Sequence, residues 1–261
     1  MSPGANHRLQ ILLAEDNIVN QKLATSILEK AGHRVILAPN GAEALRKWRE
    51  SQFDLVFMDV QMPEMDGLEA TRQIRAAEQA TGKHTPIIAL TAHVMKGDRE
   101  RCFAAGMDDY ISKPFQKQQL LSALDRLAQA GACEAARHSR EQTATAELID
   151  SAELLSRVEG DRELLGELID TLLSEARPLF EALTDAVKSS NPDRLERVAH
   201  KLKGAIAVFG ARDAVITAQT LEYMGREGKL HNAEQSLHQL EAQLVELQVA
   251  LSELRETCPK S

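Results

Sequence analysis

The first half of the chain alternates short apolar runs with longer amphipathic stretches. The runs have the length of buried parallel strands, and each is followed by apolar residues at the three- and four-residue spacing of a helix. The predicted strands are Ile11–Ala14, Arg34–Ala38, Leu55–Met58, Ile87–Leu90 and Tyr110–Ser112. The predicted helices are Val19–Lys30, Ala42–Glu50, Leu68–Ala80, Lys96–Ala105 and Lys117–Ala130. This alternation predicts a doubly wound α/β sheet whose site lies beyond the carboxyl ends of the strands.

The second half shows only helical periodicity. The periodic stretches are Leu154–Leu183, Leu195–Phe209, Ala214–Met224 and Ala233–Leu254. Such a pattern predicts an all-α region, an antiparallel bundle with a four-helix core. Residues 131–147 contain few large apolar residues and are interpreted as a linker. The expected domains are therefore residues 8–130 and residues 148–258.

Charge is distributed unevenly along the 261 residues, whose formal net charge is −8. Residues 1–130 carry 16 acidic and 16 basic side chains, whereas residues 131–261 carry 23 acidic and 15 basic ones. Without a cluster of Lys and Arg, nucleic acid is not expected to be a direct partner. No apolar run is long enough to insert into a membrane, and no secretory signal is evident at the start, so a cytoplasmic location is expected. The three cysteines are far apart, which argues against a disulfide framework or a zinc site.

Charged and polar residues follow the predicted strands at the edge where a site is expected. They are Glu15, Asp16, Asp59, Thr91 and Lys113. Taken singly, each has an ordinary explanation as a helix cap, a turn residue or a solvated base. Parallel strands would bring them together, and three converging carboxylates repel one another unless a cation lies between them. Oxygen ligands of this kind favour Mg²⁺.

Asp59 is the candidate nucleophile of this cluster, because it ends the central apolar run. An aspartate can attack a phosphoryl group to form an acyl phosphate. Lys113 is suited to neutralising the phosphoryl oxygens, and the Thr91 hydroxyl can donate a hydrogen bond to one of them.

Four separated motifs in this half resemble the signature of the bacterial response-regulator receiver domain, over about residues 8–130. They read LLAEDN, VFMDVQMPEMDG, PIIALTA and DDYISKPF. The resemblance implies strand order 2-1-3-4-5, Asp59 as the phosphoacceptor and a cis bond before Pro114. It also implies Mg²⁺ ligands, namely Glu15, Asp16, Asp59 and the backbone carbonyl of Gln61, and switch residues, namely Thr91, Lys113 and Tyr110.

His200 lies in the second half, within AHKLKGAIAVFGA at residues 199–211. The apolar stripe of this helix is Leu195, Val198, Leu202, Ala205 and Phe209. At about 100° per residue, His200 falls on the opposite face, so it is expected to be exposed together with Lys203 and Gly204. An exposed imidazole is a competent nucleophile at neutral pH, although a plain surface histidine beside a packing glycine would show the same pattern.

The motif AHKLKG followed by FGA resembles the histidine-containing phosphotransfer (HPt) domain, over about residues 148–258. The resemblance implies that His200 is the phosphorylated histidine and that Lys203 and Gly204 are its usual neighbours. It also places Glu222, on the next predicted helix, where such domains often position Gln or Glu against the imidazole.

Together the two resemblances indicate a phosphorelay intermediate. Asp59 would accept a phosphoryl group from a histidine kinase and exchange it with His200, which would pass it to a downstream response-regulator receiver domain. No glycine-rich ATP lid is evident, so the chain is either a free relay protein or the carboxyl-terminal part of a hybrid sensor kinase. A flexible linker of about 17 residues would reach about 23 Å, which makes transfer within one chain feasible.

Two other functions remain open from the sequence. The first is an Mg²⁺-dependent phosphatase with Asp59 as nucleophile. It is disfavoured because such enzymes place a second aspartate two residues further on, where this chain has Gln61. The second is an adaptor that works without phosphorylation, in which the acidic bundle only docks partners.

Overall fold

The computed structural model describes residues 8–91, 96–129 and 151–259, so the predicted linker at 131–147 lies outside the described residues. The first half forms a five-stranded parallel sheet in the order β2-β1-β3-β4-β5, which confirms the predicted α/β fold. The strands are β1 Gln10–Ala14, β2 Arg34–Ala38, β3 Leu55–Asp59, β4 Ile87–Thr91 and β5 Asp109–Ser112.

Helices lie between the strands at positions close to those predicted. They are α1 Ile18–Lys30, α2 Gly41–Glu50, α3 Gly67–Gln79, α4 Lys96–Ala104 and α5 Lys117–Gln129. Every residue of the central strand β3 is buried, as the continuous apolar run Leu55–Met58 predicts. Side-chain oxygens cap α1, α2 and α3 at Asn17, Asn40 and Asp66, and these caps explain where the three helices begin.

Strand register brings the polar residues to one edge of the sheet. Ala14 at the end of β1 is aligned with Met58, so Glu15 follows β1 beside the end of β3. Asp59 is in turn aligned with Leu90 on β4, one residue before Thr91. The candidate site residues of the first half therefore converge at the carboxyl ends of the strands.

The second half is helical. Its helices are α6 Ser151–Arg157, α7 Arg162–Lys188, α8 Pro192–Ala207, α9 Arg212–Glu227 and α10 Ala233–Glu256. α7 packs against α8 and α10, and α9 packs against the same two helices, so these four form the core of the bundle. Of the predicted stripe on α8, Leu195, Leu202, Ala205 and Phe209 are fully buried.

The periodic stretch Leu154–Leu183 is helical but is divided between two helices. Glu159 and Gly160 adopt φ values of 59° and 75°, in the left-handed region that an α-helix cannot continue through. The stretch therefore divides into α6 and α7, and Asp161 caps the second helix by accepting a hydrogen bond from Leu164 N–H.

The two halves contact each other directly. Helix α1 packs against α7 and α8, and buried apolar side chains of both halves belong to one continuous cluster. Within the described ranges, none of the helices combines the length and the apolar character needed to cross a bilayer.

Candidate functional site

Three carboxylates meet at the edge of the sheet. Glu15 and Asp59 are buried and Asp16 is partly buried, and one oxygen of each lies within 4.8 Å of the others. The backbone holds this arrangement, since Glu15 N–H donates to Ala38 carbonyl oxygen over 3.0 Å. The side chain of Glu15 is held as well, because Asn20 Nδ2 donates to Glu15 Oε1 over 3.0 Å. The structure thus brings together the three acids that the sequence predicts as metal ligands.

Lys113 supplies the positive charge of this cluster. Its Nζ lies 2.6 Å from Oδ2 of Asp59 and 2.6 Å from Oε2 of Glu15. The position of Lys113 follows from β5, because its backbone N–H donates to the carbonyl of Thr91 over 2.7 Å. The cis peptide bond expected before Pro114 is present.

Burial dominates the electrostatics of the acidic cluster. It raises the pKa of Asp59 well above its ordinary value, and the charge of Lys113 only partly opposes this. Burial also raises the pKa of Asp16, and the charge of Glu15 adds to the effect. Burial would lower the pKa of the Lys113 amine, but its two carboxylate partners outweigh that and raise it. Lys113 alone therefore neutralises only part of the negative charge of the cluster.

The other residues predicted for this site lie nearby. Thr91 is buried at the end of β4, and Gln61 donates its backbone N–H to Asp59 Oδ1 over 3.2 Å. Tyr110 is partly buried on β5, and its ring packs edge to face against Phe103 with centroids 6.4 Å apart. The guanidinium of Arg99 lies over both rings.

Gly67 explains why the chain turns tightly behind Asp59. A Cβ atom at this position would lie 2.0 Å from the carbonyl oxygen of Asp59, so no other residue fits without moving the strand end. Gly67 N–H also donates to the Val60 carbonyl over 3.0 Å. The start of α3 is thereby tied to Val60, the residue that follows Asp59.

A second polar cluster surrounds His200 on α8. Its Nδ1 lies 3.0 Å from Oε1 of Glu222 on α9, and Lys203 forms an ion pair with the same carboxylate. Arg226 Nη2 donates to Glu222 Oε1 over 3.2 Å. Burial acts to raise the pKa of Glu222, but the hydrogen bond to His200 and the charges of His200 and Lys203 lower it to about 2.

The ionised Glu222 decides which ring nitrogen of His200 is reactive. A carboxylate without a proton can only accept hydrogen bonds, so Nδ1 of His200 must be the donor. When the ring carries no charge, its lone pair is therefore on Nε2.

The expectation that His200 and Lys203 are exposed is wrong, since their exposed fractions are 8% and 5%. The helical geometry correctly turns His200 away from the apolar stripe of α8. The opposite face is nevertheless covered, by Glu222 of α9 on one side and by helix α1 of the first half on the other. Periodicity along one helix contains no information about a neighbour that docks on its polar face.

Helix α1 approaches α8 at Gly204. A Cβ atom added there would lie 3.5 Å from Nδ2 of Asn17 and 3.6 Å from Nδ2 of Asn20, which is ordinary van der Waals contact. Asn17 Nδ2 also donates to the carbonyl of Lys201 over 2.8 Å. Gly204 thus lies at the meeting point of the two halves. The sequence analysis assigns neither Asn17 nor Asn20 a part in this contact.

The contact places His200 on the same side as the acidic cluster. The charges of Lys201 and His200 are among the influences that lower the pKa of Asp16, although burial outweighs them. The hydrogen bond from Asn17 to Lys201 thus joins two segments 184 residues apart along the chain, one next to Asp16 and the other next to His200.

The depressed pKa of Glu222 predicts an acid-sensitive bundle. A carboxyl whose folded pKa lies below its ordinary value of 4.5 stabilises the fold above that pH and loses the contribution as the pH falls towards 2. We expect Glu222→Gln to lower the free energy of unfolding by about 3 kcal/mol at pH 6 and by progressively less between pH 4.5 and pH 2. Chemical denaturation at several pH values would measure this, and a constant difference between the two proteins would contradict it.

The first half is a parallel sheet with a lysine-paired acidic cluster at its carboxyl edge. It contacts a helical bundle whose histidine is hydrogen-bonded to a carboxylate. These features are those of a receiver domain paired with a phosphotransfer domain. The family model described as the response regulator receiver domain matches residues 11–125, and the model described as the Hpt domain matches residues 167–256. The chain therefore carries a receiver domain followed by an HPt domain.

Known relatives with similar sequences are much longer proteins. The chain is 44% identical to hybrid signal transduction histidine kinase I of Dictyostelium discoideum over 121 residues, covering 44% of this chain and 7% of that protein. It is 33% identical to the sensor histidine kinase GacS of Pseudomonas protegens over 207 residues, covering 77% of this chain and 22% of the relative. The signal transduction histidine-protein kinase BarA of Shigella flexneri is 29% identical over 225 residues, covering 84% and 24%. The chain thus spans less than a quarter of each.

Among solved structures, the receiver domain of the sensor histidine kinase PA1611 of Pseudomonas aeruginosa is 45% identical to this chain. The match covers 46% of this chain and 97% of that domain, with a TM-score of 0.43. That structure is described with a magnesium ion coordinated in its active-site cleft.

Proposed function

We propose that the chain is a two-component phosphorelay intermediate. Asp59 accepts a phosphoryl group from a histidine kinase and exchanges it with His200, which passes the group to the receiver domain of a downstream response regulator. The observation that carries the proposal is the docking of α1 on α8, where Asn17, the residue after Asp16, donates to the carbonyl of Lys201, the residue after His200. We further propose that the receiver domain spans residues 8–130, the linker 131–147 and the HPt domain 148–258.

The first step is the loading of Asp59. One carboxylate oxygen attacks the phosphorus of the donor phosphohistidine, an O–P bond forms, and the N–P bond of the donor breaks, returning a neutral imidazole. Lys113 is within 2.6 Å of Asp59 Oδ2 and can hold charge on the phosphoryl oxygens. Thr91, buried at the neighbouring strand end, is placed to donate its hydroxyl hydrogen to one of those oxygens.

The acidic cluster fits a magnesium ion. Three carboxylates with oxygens within 4.8 Å of one another are the hard ligands that Mg²⁺ prefers. The raised pKa values of Asp16 and Asp59 indicate that the cluster would accommodate more positive charge. Glu15, Asp16, Asp59 and the backbone carbonyl of Gln61 are proposed as its ligands. When bound, Mg²⁺ would neutralise part of the negative charge on the phosphoryl oxygens.

The second step moves the group to His200. Nε2 attacks the phosphorus of the acyl phosphate, the N–P bond forms, and the O–P bond breaks, leaving the Asp59 carboxylate. The ring gains positive charge in this step, and Glu222 at 3.0 Å from Nδ1 stabilises that charge. Lys203 and Arg226 keep Glu222 ionised and in place, so we propose that Lys203 positions the catalytic pair rather than touching the phosphoryl group.

Two observations support a kinase as donor and a second receiver as acceptor. The chain resembles segments of hybrid histidine kinases, and it pairs a domain with an acceptor aspartate and a domain with an acceptor histidine. A phosphatase that uses Asp59 as nucleophile would need an acid–base group two residues further on. The amide of Gln61 cannot act as a general acid or base at that position, so turnover of this kind is not favoured.

The order of transfer can be tested on the full chain with ³²P-labelled acetyl phosphate as donor to Asp59. Acyl phosphate is hydrolysed in alkali, whereas phosphohistidine is stable in alkali and labile in acid. We expect alkali-labile label to form first and alkali-stable label to follow. Simultaneous formation of both kinds of label, or alkali-stable label that precedes the other, would contradict the proposed order.

A further inference from the structure

The face of the receiver domain that contacts the HPt domain carries lysines outside the phosphoryl-transfer site. Each of three lysines meets a polar side chain of the HPt domain. The pairs are Lys22 Nζ with Thr171 Oγ1 over 2.8 Å, Lys30 with Asp161, and Lys117 with Glu159. None of these residues belongs to the acidic cluster or to the cluster around His200, so their role lies elsewhere.

Two of the three pairs converge on one short segment, residues 159–161, which we name the α6–α7 turn. Its shape is held by the left-handed backbone at Glu159 and Gly160 and by the cap that Asp161 forms on α7. The turn therefore presents its carboxylates at a defined place. It meets Lys30 at the end of α1 and Lys117 at the start of α5, which are two separate elements of the receiver domain.

We propose that the α6–α7 turn and these receiver lysines form a clasp that holds the HPt domain on the receiver of its own chain. The occupant of this surface is the chain's own receiver domain. The excess of acidic side chains lies in residues 131–261, whereas residues 1–130 carry equal numbers of acidic and basic side chains. The receiver nevertheless places Lys22, Lys30 and Lys117 against the HPt domain. A receiver from another protein would match the HPt face as well only if it carried cations at the same places on α1 and α5.

The clasp has a consequence for the relay, and this part rests on the proposed function. Helix α1 of the receiver packs on α8 in the docked arrangement, and His200 on α8 is only 8% exposed, so a second receiver can use this face of α8 only after the first is released. Docking then favours exchange between Asp59 and His200, and release favours delivery to another protein. The strength of the clasp sets the balance between the two.

Reversing one charge pair tests the clasp directly. Lys117→Glu and Glu159→Lys each replace an attraction by a repulsion, and the chain carrying both changes restores the pair with its charges exchanged. Glu159 is preferred to Asp161 because Asp161 also caps α7. The matched controls are Arg177→Glu and Glu181→Lys, which alter the net charge equally at exposed positions of α7 that take no part in the three pairs.

Docking is measured on the full chain by ¹⁵N relaxation, since docked domains tumble as one body of 28.8 kDa and released domains tumble faster. Exposed ion pairs contribute little individually, so each single reversal is expected to shift the docking equilibrium about three- to tenfold towards release. The exchanged pair is expected to return it to the wild-type value, and both controls are expected to leave it unchanged.

Transfer from His200 to a separately added receiver domain is a second readout, expected to accelerate by the same factor in each single reversal. Wild-type tumbling in both single reversals would overturn the clasp, as would an exchanged pair that stays released. If tumbling changes as expected but Asp59 accepts no phosphoryl group in any variant, the clasp stands and the proposed function fails.

Discussion

Asp59→Asn is expected to abolish labelling of the chain from acetyl phosphate, with a loss of at least about 100-fold in both alkali-labile and alkali-stable label. An amide lacks the nucleophilic oxygen of a carboxylate, and His200 receives its group through Asp59 in the proposed order. The loss should occur without unfolding. Asn is neutral and similar in shape to Asp. Burial raises the pKa of Asp59 and so already favours its neutral form. Lys113 also keeps Glu15 as its partner in the variant.

The matched control for this prediction is His200→Gln. It should retain alkali-labile label on Asp59 and lose only the alkali-stable label, because the receiver site is untouched. Circular dichroism and thermal unfolding would verify that both variants are folded. Alkali-stable label that forms at the wild-type rate in Asp59→Asn would refute the order of transfer. If neither variant changes signalling, the adaptor function is favoured instead.

Lys113→Ala is expected to have the largest effect on stability, lowering the free energy of unfolding of the receiver domain by about 3–5 kcal/mol. The change leaves the buried carboxylates of Asp59 and Glu15 without the ammonium that lies 2.6 Å from each. Uncompensated buried charge is far more costly than a well-paired one. Urea denaturation at neutral pH, in buffer free of divalent cations, would measure the loss.

A second substitution in the same chain separates this electrostatic explanation from a simple loss of packing. If unpaired charge is responsible, Lys113→Ala combined with Asp59→Asn should be more stable than Lys113→Ala alone by about half of the original loss, since one of the two buried charges is gone. If the lost alkyl chain is responsible, the second change should bring no recovery. If unpaired charge is responsible, Lys113→Met, which keeps the length of the side chain but not its charge, should also be destabilised like Lys113→Ala.

Much of the receiver domain could be predicted from local pattern. The apolar run Leu55–Met58 is short, continuous and followed by Asp59, and the structure makes it the fully buried central strand. Once five parallel strands are predicted, residues that follow them must gather at one edge, and Glu15, Asp16 and Asp59 do. This part succeeds because strand period and strand polarity are properties of neighbouring residues.

Helix boundaries in the bundle were less predictable. No apolar residue lies between Val158 and Leu164, but Val158 and Leu165 are still two helical turns apart, so the apolar pattern alone does not show that α6 and α7 are separate helices. The helix is interrupted by the backbone conformation of Glu159 and Gly160, since both adopt positive φ. Glycine allows such a conformation without requiring it, and glutamate seldom adopts it, so no pattern of apolar residues indicates it.

The sequence by itself determined the two domain types, the order of the strands through its motifs, and the acids, lysine and histidine available for chemistry. Only the tertiary structure decided that His200 is covered, that Glu222 and Lys203 form its buried partners, and that Asn17 and the receiver lysines contact the HPt domain. The physical reason is the distance along the chain between the residues that interact. Periodicity and capping are set by residues within a few positions of one another, whereas burial of a polar helix face depends on surfaces contributed by residues more than 100 positions away.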